Sequence, residues 1–179
     1  MDHRPLLVFD FDGVIIDGMA EYWWSSWHAC RHLFSAPKEF SPDLVPEAFF
    51  RLRPWVHHGW EMVLLAAELS TFDESHWQLN YREAQAQALQ KHGWTSAQLE
   101  GALDYVRREA VARDRTAWLS LHQPFPGVVD RLMRFEEESL DWAVLTAKSE
   151  AFTAELLAGL GLHPWRLDGR EAGAKPQVL

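Results

Sequence analysis

Near its amino terminus the chain reads LLVFDFDGVIID: an apolar run from Leu6 to Phe9, then Asp10 and Asp12 on either side of Phe11, then Gly13. A short continuous apolar run closed by a turn residue reads as a buried strand, parallel and central, over residues 6–12. Side chains two apart on an extended chain project to one side. The carboxyl end of a parallel strand is where open α/β sheets place their ligands. Two carboxylates held there repel each other unless a cation or a shared proton intervenes. A hard divalent ion such as magnesium relieves that repulsion and also binds phosphate oxygens. A bare Asp-x-Asp is ordinarily a solvated or helix-capping pair, and the apolar lead-in sets this one apart.

The rest of the chain alternates in a way that extends this reading. Met19 to Phe34 carries apolar residues at helical spacing. FFRLRPWVHHGWEMVLLAAEL reads as a further helix, with Pro54 suited to its first turn. Two more helices are expected over 74–91 and 96–113, with His92-Gly93 as the stop between them and Thr95 or Ser96 as the cap. From about residue 120 the pattern becomes a Pro-Gly turn (PFPG), the helix VVDRLMRFEEES, a strand DWAVLTAK ending at Thr146, the helix SEAFTAELLAGLGL and a short strand WRLDG. Strands alternating with helices imply a parallel sheet covered on both faces. The stretch 18–119 is too long for a loop, has no strand pattern, and is expected to be a separate helical lobe.

Composition excludes several classes. Of 179 residues, 47% are hydrophobic and 24% charged, which is a globular balance rather than a disordered one. A net charge of −9 argues against general affinity for nucleic acid. It leaves a small phosphorylated ligand open, because such a ligand answers to the local field of a pocket. The single cysteine, Cys30, leaves no intramolecular disulfide or multi-cysteine metal site, and reads as a small buried hydrophobe. The amino-terminal apolar run is too short for a signal-peptide core, and no stretch approaches a membrane span, so a cytoplasmic location is expected. Ten tryptophans are many for this length. They read either as packing in a helical layer or as the lining of an aromatic pocket.

DFDGV resembles the first motif of the haloacid dehalogenase-like hydrolases. VLTAKS (Val144 to Ser149) resembles their second motif, and GAKPQVL (Gly173 to Leu179) their third, a Lys-Pro opening a helix. PFPGVVDRLMRF is similar to the turn and helix before the second motif. The resemblance implies a Rossmann-like α/β core over 1–17 and 120–179, with an all-helical cap domain inserted at 18–119. It implies a magnesium-dependent phosphatase acting on a small phosphorylated metabolite. Asp10 matches the nucleophile that forms an aspartyl-phosphate, and Asp12 the general acid and base. Thr146 matches the hydroxyl that holds a phosphoryl oxygen. Lys175 matches the cation that steadies Asp10 and the developing charge. Magnesium would take a carboxylate oxygen of Asp10 and the backbone carbonyl of Asp12. An Asp at position 12 favours phosphate chemistry over dehalogenation. Lys148 competes with Lys175 for the lysine role, but its place in the pattern fits a surface or helix-start charge better.

The family's fourth motif, an acidic pair closing a further strand beside the first one, does not occur before Leu179. The core is therefore expected to be incomplete at its carboxyl end, the fragment to bind magnesium weakly and turn over little, and the open edge of the first strand to pair with a second copy. In the lobe, Arg53, His57 and Glu61 lie four apart, on one face if the helix is unbroken, and are candidate substrate-binding residues together with Ala147 beside Thr146. A surface ion-pair ladder is the plainer account of the first three. Gly59 within that helix marks a kink or close packing. Asp141 and Asp168 read as strand-end acids rather than metal ligands. A phosphomutase, or a binding protein that has lost turnover, stands as the alternative.

Overall fold

The computed structural model describes residues 6–33, 39–71, 73–173 and 175–178. The chain divides into two compact units, Met1–Gly18 with His122–Leu179, and Met19–Leu121. No helix among the described residues is long and apolar enough to cross a membrane.

The first unit is α/β. Strand β1 (Leu6–Phe9) pairs in parallel with β4 (Asp141–Leu145), and β4 with β5 (Arg166–Asp168), giving the order β1-β4-β5. The expectation that the first strand is buried and central is corrected here. Among the described residues it has a neighbour on one side only, and Leu6, Leu7 and Val8 are 45%, 37% and 42% exposed. The central strand is β4, whose Trp142, Ala143, Val144 and Leu145 are all buried. Helix α7 (Val128–Glu137) leads into β4 and helix α8 (Glu150–Gly159) links β4 to β5. Leu132 and Phe135, three apart on α7, are buried, and the Phe135 ring stacks 6.1 Å from Phe9. A two-residue antiparallel ladder, β2 (Ile16–Asp17) with β3 (Gln123–Pro124), joins the points where the chain leaves and re-enters this unit. Nothing in the alternation of residues had marked those strands. Lys175–Val178 forms a short terminal helix, α9.

The second unit is helical. It comprises α1 (Met19–Leu33), α2 (Glu47–Leu52), α3 (Gly59–Glu68), α4 (Glu74–Leu79), α5 (Tyr81–His92) and α6 (Ser96–Ser120). α1, α3 and α6 pack together around Trp23, Leu64, Leu65, Leu99 and Leu103. Trp23 and Trp27 donate their indole N–H groups to the carbonyls of Ser41 and Phe40, at 2.8 and 2.9 Å, so these two rings serve packing while their polar edges stay satisfied. Buried between α1 and α6, Arg107 donates to both oxygens of Glu21 at 2.7 and 2.8 Å, and the Ser25 hydroxyl also donates to Glu21. Glu21 is 0% and Arg107 3% exposed, so this pair and its hydrogen bonds stand in for water around both charges.

Three helix expectations differ from the structure. The run FFRLRPWVHHGWEMVLLAAEL is broken: a 3-10 turn over Arg53–Trp55 follows α2, and the chain is extended at Val56 and His58 before α3 begins at Gly59. Gly59 therefore starts a helix rather than kinking one. A Cβ there would stand 3.1 Å from the Leu103 side chain, so it does mark close packing. The stretch 74–91 divides at Asn80, whose non-helical backbone separates α4 from α5. α6 continues past residue 113 through a kink at Asp114, whose carboxylate accepts from the Ala117 N–H at 2.9 Å and so caps the following turns. Thr95 caps α6 in a reciprocal box with Gln98, and Gly93 ends α5.

Candidate active site

The acids of β1 are set by a tight turn. β1 ends at Phe9, and Phe11, fully buried, anchors the chain between Asp10 and Asp12. The Phe11 carbonyl accepts from Ile15 and Ile16 at 2.9 and 3.2 Å, and the Gly13 N–H donates to the Ile16 carbonyl at 2.8 Å. Gly13 sits at φ 81°, a left-handed conformation that suits glycine. The Asp10 carboxylate is fixed on both oxygens: Oδ1 accepts from the Phe11 N–H at 2.8 Å, and Oδ2 lies 2.6 Å from Lys175 Nζ. Lys175 is the first residue of α9.

Asp12 has a different lysine. Lys148 Nζ lies 3.5 Å from Asp12 Oδ1, and Lys148 is only 6% exposed. The reading of Lys148 as a surface or helix-start charge is therefore corrected. It follows Thr146 on the loop after β4 and points inward, so the site carries two lysines. The signal was present in the sequence, because residues two apart on an extended chain share a side.

The loop carrying Thr146 and Lys148 is held from several directions. The Thr146 N–H donates to the Asp168 carbonyl at 2.9 Å, the Lys148 carbonyl accepts from the Arg170 N–H at 3.0 Å, and the Lys148 N–H donates to Thr146 Oγ1 at 3.1 Å. Thr146 is buried at 2% exposure. Its hydroxyl accepts from the backbone and keeps its own proton available for donation. Ala147 is exposed on the same loop. Gly169 lets β5 approach this loop, since a Cβ there would stand 2.3 Å from the Glu150 backbone nitrogen. Glu171 Oε2 accepts from that nitrogen at 3.0 Å, capping the start of α8. Burial pushes the Glu171 pKa up, but hydrogen bonds from the Glu150 and Glu171 N–H groups and from Ser149, with the Arg170 charge, outweigh it and leave it lowered. Asp168 spends its carboxylate on Arg166 at 2.7 Å.

Of the expected residues, Lys175 meets Asp10, and Thr146 is linked through Lys148 to Asp12. Arg53, His57 and Glu61 do not form a stripe, because the helix that would align them is interrupted. Arg53 lies over the Tyr22 ring at 5.0 Å. Glu61 is buried and accepts from the His57 backbone N–H at 3.1 Å and from the Tyr81 hydroxyl at 2.8 Å. Burial first, and the Glu61 charge second, push the Tyr81 pKa upward. Glu61 thus ties the turn before α3 to α5. Among the described residues no group of three or more His, Cys, Asp or Glu converges as a metal cage. Magnesium ordinarily takes one or two protein carboxylates and completes its shell with water and substrate oxygens, so the absence of a larger acidic cage among the described residues does not argue against it.

Acids at the end of a parallel strand, each met by a lysine from a later segment, define an α/β protein with a charged cluster at the carboxyl edge of its sheet. The chain belongs to the haloacid dehalogenase-like hydrolase family, whose model matches residues 5–177. No curated protein matches the chain. Among solved structures it is similar to phosphatase Tt82 from Thermococcus thioreducens, with 21% identity, 96% of this chain and 75% of that one covered, and a TM-score of 0.60. It is also similar to a predicted phosphoglycolate phosphatase from Haemophilus somnus 129pt, with 14% identity, 98% and 66% covered, and a TM-score of 0.58. A predicted phosphatase from Clostridium acetobutylicum aligns with 18% identity, 94% and 62% covered, and a TM-score of 0.50. At these identities the likeness concerns the fold. The chain spans 62% of that last structure's length.

Proposed function

We propose that the cluster at Asp10 is the phosphoryl-transfer site of a phosphatase acting on a small phosphorylated metabolite. The observation that carries this reading is the 2.6 Å pair between Asp10 and Lys175, residues from opposite ends of the chain. Asp10 attacks phosphorus, the phosphorus–oxygen ester bond breaks, and the leaving oxygen takes a proton from Asp12. Water then gives its proton to Asp12 and attacks the aspartyl-phosphate, releasing phosphate and restoring the Asp10 carboxylate. The Thr146 hydroxyl donates to a phosphoryl oxygen, and Lys175 offsets the charge shared between Asp10 and the phosphoryl group. Lys148 holds the Asp12 carboxylate in place. Asp10 and the Asp12 carbonyl are the groups that would hold magnesium, which when bound supplies positive charge to the phosphoryl oxygens.

The helical unit is proposed as the cap that selects the substrate. The experiment is hydrolysis of a generic phosphate ester by the full-length protein, with and without magnesium, beside Asp10→Asn. Loss of turnover by at least about a thousandfold in the variant is the expected result, given what covalent catalysis contributes. Equal rates in both proteins would reject the reading in favour of a binding protein on this fold. A phosphorylated sugar product in place of free phosphate would point to the phosphomutase alternative. We also propose that the edge of β1 away from β4 pairs with a second copy, since among the described residues no strand covers it and its apolar Leu6, Leu7 and Val8 are exposed. Sedimentation showing a monomer at tens of micromolar would reject that pairing.

A further inference from the structure

Within the helical unit, α1 and α6 border an open surface cleft of about 360 Å³. α1 contributes Trp24, His28 and Arg31, spaced so that they share a helix face; α6 contributes Tyr105, Glu109 and Arg113 by the same periodicity. The cleft is unlike the surface of the protein that holds it. The chain as a whole has a net charge of −9, yet two guanidinium groups line this cleft beside the Glu109 carboxylate, with Asp43 close enough to act on His28. Neither Arg31 nor Arg113 has an ion-pair partner among the described residues, although Glu109 lies four residues before Arg113 on the same helix. Two other arginines of the unit are paired, Arg51 with Glu47 and Glu74, and Arg107 with Glu21.

The walls are aromatic. His28 lies 4.1 Å from the Trp24 ring and 4.9 Å from the Trp27 ring, and His32 stacks on Tyr105 at 4.5 Å. Burial, then the charges of Arg31 and Arg113, hold the His28 pKa below its usual value, against the opposing pull of Asp43. Both guanidinium groups therefore act on the same point in the cleft, and His28 there is neutral at pH 7. His28 and His32 each cover one side of Trp24 and Tyr105, respectively, and Arg31 also lies over the Trp27 ring at 6.0 Å. Tyr105 is still 43% exposed, and an exposed ring edge or face beside arginines without an ion pair is an arrangement that receives a ring bearing an anionic group.

We propose that the cleft between α1 and α6 binds a small organic anion with a flat aromatic body, such as an aryl carboxylate, through Trp24, Tyr105, Arg31 and Arg113. Every residue involved lies in the helical unit, so the inference stands apart from the reading of Asp10 and its neighbours.

The test is titration calorimetry of the intact chain with 2-naphthoate, with the neutral 2-naphthalenemethanol as control. One-to-one binding of naphthoate, at least tenfold tighter than the alcohol, is expected. The double variant Arg31→Gln/Arg113→Gln should weaken it at least tenfold, and Lys175→Ala should leave it unchanged. Histidine-selective NMR supplies a local readout: bound naphthoate should raise the His28 titration midpoint, because an anion beside the arginines offsets their charge. Equal affinity for the alcohol, an unaffected double variant, or loss of binding in Lys175→Ala would each overturn the proposal. If the double variant does not fold, Trp24→Leu carries the test, with tenfold weakening expected and unchanged affinity overturning it.

Discussion

Arg107 is a buried charge whose removal should carry a large stability cost. Its partner Glu21 is wholly enclosed, and removing the guanidinium takes away the two charge-assisted hydrogen bonds that Arg107 gives this buried carboxylate. Arg107→Ala should cost about 3–5 kcal/mol by urea denaturation, whereas replacing both partners with leucine should cost far less. An equal loss in both variants would show that packing rather than the unpaired charge sets the penalty. Cys30 gives a second prediction at this scale. Burial pushes its thiol up from 9.0 to about 12, and its Sγ lies 3.3 Å from the Val63 carbonyl. The unfolded thiol ionises near its ordinary value while the folded one keeps its proton. The contribution of Cys30 to stability is therefore complete below pH 9 and falls as pH rises from 9 towards 12. Denaturation at pH 8 and pH 10.5 should show that decline in the parent chain, and a smaller one in Cys30→Ala.

Elements were legible where a local rule determined them and obscured where tertiary contacts decided. Thr95 with Gln98 is a cap that can be read directly from residue types, and Thr95→Ala should cost about 1 kcal/mol of stability. The break after α2 could not be read in this way: Pro54 suits a first turn, yet Glu61 reaches back to the His57 N–H and starts the helix later. β2 and β3 have two residues each, below the length at which alternation gives a signal. In the candidate site, Asp10, Asp12, Thr146 and Lys175 all stand in recognisable motifs. The inward course of Lys148 depends on the hydrogen bond between its carbonyl and Arg170, which no local pattern announces. Gly169 belongs to the same loop system. Gly169→Ala brings a methyl group against the Glu150 backbone, and a loss of about 1–3 kcal/mol is expected, with weaker protection of the Thr146 amide against hydrogen exchange.

For the molecule as a whole, the pairing that builds the sheet joins distant parts of the chain: Leu6 lies opposite Asp141, and the entire helical unit intervenes. Closing so long a loop carries an entropic cost that grows with its length. α1 and α6, the first and last helices of the insertion, pack against each other, and directly outside them Asp17 pairs with Gln123. Once the helices have assembled, the intervening stretch behaves as a compact knot whose two ends emerge together, and the distance the strands must search collapses from that of a long polymer to that of a hairpin. Stopped-flow refolding of Arg107→Ala should therefore show slower formation of the β1–β4 pairing as well as a weaker helical unit, although the substitution touches neither strand. The little ladder beside the insertion is where that shortened search would end, and the order expected from this topology is helices first, sheet second.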